Sequence, residues 1–193
     1  MNKQELRHHL KAQREALSPL QRECFAQQMV SHVITLPLYE KATHLGFYWG
    51  KGAEMNPTFL LETALKAGKK CYLPVVPPLH QETLCFIPYT AQTPLSPNQY
   101  GVLEPPYSEK EIHPLETFHI IFVPLVGFDM KGHRLGMGGG FYDKTFSYQK
   151  KTPEAPPVLL GLAYECQKVE TLPVDEWDIP LKGIITESNP YIF

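Results

Sequence analysis

The chain predicts an α/β fold: three layers, with a mostly parallel central sheet between helices. Two observations carry this. Short strand-like apolar runs alternate with amphipathic helical stretches along most of the length. Two of those runs, Phe118 to Val126 and Val158 to Ala163, are apolar without alternation. Strands buried on both faces of a parallel sheet read this way.

The elements follow in order. Residues 3 to 16 predict a helix, on which Lys3, Arg7, Lys11 and Arg14 form one basic stripe. Such stripes are ordinarily solvated faces. Ser18-Pro19 opens a second helix, with serine as N-cap, proline in the first turn and Gln21 in the capping-box place; Phe25, Met29, Val33 and Leu36 form its buried face. Thr43 to Trp49 is a strand and Gly50 to Met55 a loop. A helix from Asn56-Pro57 runs to Ala67 and stops at Gly68. Cys71 to Val76 and Thr83 to Tyr89 are strands. The proline-rich stretch Thr90 to Glu116 is an excursion with little regular structure. Phe118 to Val126 is the central strand, Phe141 to Lys150 a helix, Val158 to Ala163 a strand and Gly183 to Thr186 a short closing strand. No repeat or linker divides the 193 residues, so 1–193 is expected to form one domain.

Composition narrows the classes. A formal charge of −2 argues against broad binding to nucleic acid. Cys24, Cys71, Cys85 and Cys166 form no CxxC pair, so buried or free thiols are expected rather than a zinc site. His8 and His9 point to different helix faces, which is poor chelation geometry. The polar N-terminus lacks the apolar core of a secretory signal, and no run has the length of a membrane span. A reducing cytoplasm is the expected setting.

The stretch Phe128 to Phe146, FDMKGHRLGMGGGFYDKTF, is the most informative. It sets Gly132, Gly136, Gly138, Gly139 and Gly140 between a buried strand and a helix start. Glycine tolerates positive φ and close ligand approach, so backbone N–H groups can converge there on a phosphate. Asp143 is placed to hold the divalent cation that phosphates bring. The spacing matches neither GxxxxGK[ST] nor a clean GxGxxG, so a turn that merely packs a strand against a helix explains the glycines equally well. In a parallel sheet, ligands gather at the carboxyl ends of the strands. Three loops are expected there: Gly50 to Met55, the glycine loop, and Tyr164 to Gln167.

The block Phe128 to Asp143 resembles the signature FDxxGxRLGxGxGYYD of the 5-formyltetrahydrofolate cyclo-ligase family, also called methenyltetrahydrofolate synthetases. Further matches are KxxLR at Lys3 to Arg7, the acid Glu54, GVLEP at Gly101 to Pro105, LLGLAYECQ at Leu159 to Gln167, LPVDEWD at Leu172 to Asp178 and GIITE at Gly183 to Glu187. The resemblance spans nearly the whole chain. It implies a Rossmann-like scaffold of the sugar-phosphate isomerase/CoA-transferase kind. The implied activity is ATP- and Mg2+-dependent closure of 5-formyltetrahydrofolate, with or without a polyglutamate tail, to 5,10-methenyltetrahydrofolate by a monomer. It implies ATP contacts from Lys3, Arg7, Arg134 and Leu135, Gly136, Met137, Gly138, Gly139, Gly140, Phe141 and Tyr142. Arg134, Tyr142 and Asp143 are the implied catalytic residues, and Asp143 and Asp178 the magnesium ligands. Trp49 and Glu54 match folate positions: a carboxylate suits the pterin's N–H edge and an indole offers a flat stacking face, although core packing at a strand end explains Trp49 as well. Phe141 and Tyr142 line the same pocket in this reading, with Tyr100 and Glu104 as further substrate candidates.

Two departures from the signature matter. Met137 and Gly139 stand where some relatives carry basic residues, and Phe141 removes one hydroxyl. Lys11 and Arg14 have no counterpart in the resemblance and are expected to be solvated. Two other readings differ in class. One is a sugar-phosphate isomerase or acyl-CoA transferase with Glu104 as base. The other is a folate-, nucleotide- or RNA-binding module without catalysis; retention of Asp143 and the glycines, and the acidic balance, weigh against it.

Overall fold

The computed structural model describes residues 1–78 and 82–193. Helix α1 (Lys3–Glu15) begins in a capping box: Asn2 accepts from the N–H groups of Gln4 and Glu5, and Glu5 reaches back to the Asn2 N–H. Ser18 and Gln21 form a second box at α2 (Pro19–Ile34), as the spacing predicts. A short α3 (Pro37–Lys41) leads into β1 (His44–Gly46), then α4 (Thr58–Lys66), β2 (Lys70–Val75) and β3 (Cys85–Tyr89). Next come β4 (Ser96–Pro97), β5 (Leu103–Glu104), β6 (Ile120–Pro124), β7 (Gly127–Phe128) and β8 (Arg134–Leu135). The chain closes with α5 (Phe141–Thr145), β9 (Val158–Leu162), β10 (Gly183–Ile185) and β11 (Pro190–Ile192).

The central sheet has seven strands in the order β11-β10-β9-β6-β1-β2-β3. Five neighbouring strands, β10 to β2, run parallel, and β3 and β11 pair antiparallel at the two edges. One face is buried by α2, α3 and α4 on Leu45, Phe47, Leu73, Phe122 and Ile185. The opposite face is covered by Phe118, Phe146, Ile179 and Leu181, delivered by loops and the short helical stretch after α5. The third layer is therefore thinner than a pair of full helices. Fully burying a side chain such as Phe122 contributes about 2–3 kcal/mol, so either face is costly to open.

Several local expectations change. The ladder of β1 stops at Gly46, though Phe47 N–H still bonds Tyr72 O at 2.9 Å. The helix expected from Phe141 to Lys150 is broken: α5 ends at Thr145 and a 3-10 turn covers Ser147–Lys150. The break drops Phe146 into the core with no exposure, while Thr145 Oγ1 takes the Leu84 N–H at 2.8 Å. The excursion carries a β4–β5 hairpin and 3-10 turns at Glu109–Glu111 and Leu115–Thr117. At the hairpin tip, Asn98 Oδ1 accepts from the N–H groups of Tyr100 and Val102. Between β6 and the glycine loop stands an unanticipated hairpin, β7–β8, whose Asp129 is wholly buried. Asp129 accepts from the N–H groups of Lys131, His133 and Leu172 and lies 3.0 Å from His133 Nδ1.

Strand order fixes where a ligand belongs. From β1 the chain moves through α4 to β2 on one side, then returns to β6 on the other side and continues outward to β9 and β10. The order therefore reverses between β1 and β6, and the crevice beyond their carboxyl ends is the topological switch point.

Candidate active site

Loops from three neighbouring strands converge on that crevice: Gly50 to Met55 after β1, the β7–β8 hairpin with its glycine loop after β6, and the turn Tyr164 to Gln167 after β9. All three are the loops expected from the sequence.

Gly138 and Gly140 adopt φ of 107° and 67°, in the left-handed region that other residues avoid. Among the described residues, none of the N–H groups from Gly136 to Phe141 finds an acceptor, so this loop offers a row of unfilled donors. With only five residues, α5 adds little helix dipole to the loop, beside which stand the cations Arg7 and Arg134. Arg7 Nε donates to Gly136 O at 2.8 Å, which ties α1 to the loop. Arg134 leaves β8 with its side chain buried, and its Nη2 meets Asp143 Oδ1 at 2.7 Å. Its guanidinium also lies 5.7 Å from the centre of the Tyr142 ring.

Asp143 Oδ1 accepts from Ile179 N–H as well, at 3.0 Å, which places Asp178 beside it in the chain. Lys3 Nζ lies 2.7 Å from both Asp178 Oδ2 and Asp175 Oδ2. Burial pulls the Lys3 pKa down, but hydrogen bonds to Asp175 and Asp178 outweigh it and hold the ammonium above its ordinary value. Asp175 is a member of this cluster that sequence reasoning missed; its position in LPVDEWD, three residues before Asp178, was the available signal. In both Asp143 and Asp178 one carboxylate oxygen holds these bonds, and the other bonds nothing among the described residues. Two hard oxygen donors beside a phosphate-type loop fit magnesium, which takes few carboxylates and fills its shell with water and phosphate.

Glu54 is half-buried in the β1 loop, its Oε2 accepting from Lys51 N–H at 2.9 Å. Burial raises its pKa, while the Lys51 N–H and the charges of Arg14, Lys11 and Lys51 pull it back. Tyr142 is close enough to sense the Glu54 charge; burial pushes its phenol well above the ordinary value, against the pull of Arg134. Phe141 meets Tyr100 edge-on with centroids 5.8 Å apart, and Lys51 Nζ bonds the Tyr100 carbonyl. The excursion hairpin thus bridges the β1 loop and the glycine loop across the crevice.

Two sequence candidates sit elsewhere. Trp49 packs edge-on against Tyr89 at 6.3 Å and on the α2–α4 core, the packing alternative raised for it. Glu104 braces the hairpin, its Oε2 accepting from Val76 N–H at 3.2 Å and Asn98 Nδ2 at 2.8 Å. Arg14, expected to be solvated, is 4% exposed. Its burial follows from the face of α1 that holds Leu6 and Leu10, which lies against the β7–β8 hairpin.

Cavities open on both sides. One of about 260 Å³ is lined by Arg22, Glu54, Asn56, Phe59 and Tyr164. Another of about 380 Å³ is lined by Gly138 to Gly140, Asp143, Lys144, Lys150 and the exposed Trp177. A loop of free N–H donors flanked by Arg7 and Arg134, set beside a carboxylate-bearing cavity at the switch point, is the arrangement of an α/β enzyme of the phosphate-handling class.

Comparison with known proteins specifies the class. Residues 1–187 match the model of the 5-formyltetrahydrofolate cyclo-ligase family. The chain is 37% identical over 183 residues to "5-formyltetrahydrofolate cyclo-ligase" of Haemophilus influenzae, covering 95% of this chain and 96% of that one. It is likewise 37% identical over 180 residues to the protein of that name from Escherichia coli K12, covering 93% and 97%. The NMR structure of Aquifex aeolicus 5,10-methenyltetrahydrofolate synthetase superposes with a TM-score of 0.81 at 30% identity, covering 100% of this chain and 93% of that one. This chain belongs to the 5-formyltetrahydrofolate cyclo-ligase family.

Proposed function

We propose that this chain closes 5-formyltetrahydrofolate to 5,10-methenyltetrahydrofolate at the expense of ATP, in a magnesium-dependent reaction that releases ADP and phosphate. The observation that carries the proposal is the switch-point crevice, where the donor row of the glycine loop, with Arg134 and Asp143, faces the Glu54 loop across Tyr142. The formyl oxygen attacks the γ-phosphorus and ADP leaves, giving a phosphorylated iminium. N10 then attacks the activated carbon and gives up its proton, and phosphate departs with the C–O bond, taking the proton with it. No protein nucleophile is needed, so the residues position the partners and stabilise charge.

In this reading the loop from Leu135 to Tyr142, with Lys3, Arg7 and Arg134, holds the triphosphate. A donor aimed at developing charge is worth about 3 kcal/mol in such a transition state. Asp143 and Asp178 would hold magnesium, which when bound would supply charge neutralisation at the phosphates. Glu54 takes the pterin N–H edge, and Phe141, Tyr142 and Tyr100 enclose the ring; Trp49, packed in the core, and Glu104, bracing the hairpin, are given no ligand contact. In this reading residues 1–193 act as a single-domain monomer. A cytoplasmic enzyme acting on folates with or without a polyglutamate tail completes the proposal.

The test is absorbance at the methenyl-folate band after mixing protein, 5-formyltetrahydrofolate, magnesium and ATP. A rise that needs both ATP and Asp143 supports the proposal. No rise with folate still bound makes the chain a binding module, and no folate binding removes the substrate assignment.

A further inference from the structure

Trp177 is 66% exposed, the most exposed aromatic side chain among the described residues. Single apolar side chains on a surface are ordinary. The setting of this one is not. The backbone that follows it is fixed: the Asp178 carboxylate meets Lys3 Nζ at 2.7 Å, Asp178 N–H bonds Asp175 O at 3.1 Å, and Ile179 N–H bonds Asp143 Oδ1 at 3.0 Å. Leu172 and Ile179 anchor the segment on either side, at 4% and 3% exposure. The indole is therefore held out from a clamped loop, not carried on a loose one.

The same ring lines the cavity of about 380 Å³ whose other walls include Gly138, Gly139, Gly140 and Asp143. That volume falls within the roughly 300–1,000 Å³ of small-molecule sites. Lys150, in the 3-10 turn after α5, lies on the same wall of charge and turn. Unfilled N–H donors and a planar apolar face thus border one space. A nucleotide presents the complement of both, phosphates and a flat base. Phosphate alone would make no use of the indole. Glu54, read as the pterin's partner, lines the other cavity, so the pterin is not the ring expected here.

We propose that Trp177 is the base platform of the nucleotide site: its indole stacks on the adenine of ATP while the glycine loop holds the phosphates. The proposal rests on the reading of that loop as the triphosphate site. A stack needs only a π-face on each partner, which an exposed indole supplies without any matching hydrogen-bond edge. One clamped loop then carries two contacts to the nucleotide side of the crevice, the Asp178 carboxylate and the Trp177 ring.

The test compares ATP with inorganic tripolyphosphate, which has the phosphates and no base, by calorimetry in magnesium buffer. In Trp177→Ala the affinity for ATP falls about tenfold, while that for tripolyphosphate stays within about twofold; Trp177→Phe, which keeps a stacking face, retains most of the ATP affinity. The chain has two tryptophans, and Trp49 packs against the core. Quenching of tryptophan fluorescence by ATP in the wild type, lost in Trp177→Phe, therefore reads the contact itself. Equal losses for ATP and tripolyphosphate in Trp177→Ala would make the ring a brace for the Asp178 segment and overturn the platform, as would an unchanged ATP affinity. Tripolyphosphate that fails to compete with ATP in the wild type overturns the reading of the glycine loop, and this proposal with it.

Discussion

Arg134 Nη2 and Asp143 Oδ1 form a 2.7 Å ion pair in which the guanidinium side chain is 5% exposed and the carboxylate 16%. The same oxygen accepts from Ile179 N–H, so one carboxylate joins β8, α5 and the Asp178 segment. In Asp143→Ala the buried guanidinium loses its partner, which costs about 3 kcal/mol of stability. Asp143→Asn keeps an acceptor for Ile179 and loses less. Urea unfolding reads the stability difference; methenyl-folate formation falls at least a hundredfold in both variants, because neither retains the carboxylate charge.

Asp129 titrates in the acid range. Burial works to raise its pKa, but hydrogen bonds from Leu172, His133 and Lys131 outweigh this and hold it below the ordinary value. A depressed folded pKa contributes stability above the unfolded value of about 3.9, and the contribution is lost as pH falls through the folded value. Thermal unfolding of the wild type is therefore expected to fall steeply below about pH 4, and Asp129→Asn, less stable at neutral pH, loses that part of the slope. Coincident slopes would assign acid unfolding to other carboxylates.

Gly138 has room for a methyl group, the nearest atom being Arg7 Cζ at 3.9 Å from an added Cβ, yet its φ of 107° excludes most side chains. Gly138→Ala is expected to cost about 1–2 kcal/mol through backbone strain and to raise the KM for ATP more than that for the folate. Steady-state kinetics with each substrate varied in turn separates the two.

Lys3 bridges Asp175 and Asp178 from the first turn of α1. The pair is partly exposed, so Lys3→Met should cost at most about 1 kcal/mol of stability. Its larger expected effect is a roughly tenfold higher KM for ATP, the equivalent of one charge-assisted contact. An unchanged KM would make Lys3 a structural clamp on the Asp178 segment.

Tyr100 is 49% exposed while touching Phe141, so Tyr100→Ala should leave the melting temperature within about 2 °C, as surface changes do. The KM for 5-formyltetrahydrofolate rises several-fold if the hairpin closes over that substrate.

Much of this architecture was local in origin and therefore legible in the residues. The apolar runs of β6 and β9, the Ser18–Gln21 capping box and the glycine loop each depend on neighbours within a few positions, and the family motifs run in order along the chain. Other features depend on partners far away. Lys3 meets Asp175 across 172 residues, Arg14 meets Leu125 across 111, and Ile179 meets Asp143 across 36. The basic stripe of α1 has one periodicity whether its cations are solvated or buried; only docking of the helix on the β7–β8 hairpin placed Arg14 inside. The sequence by itself determined which segments become strands, caps and an anion-ready loop, because φ/ψ preference and hydrophobic period are short-range properties. The tertiary structure alone decided which charges pair and which stay unpaired, because that depends on the order in which the strands lie side by side.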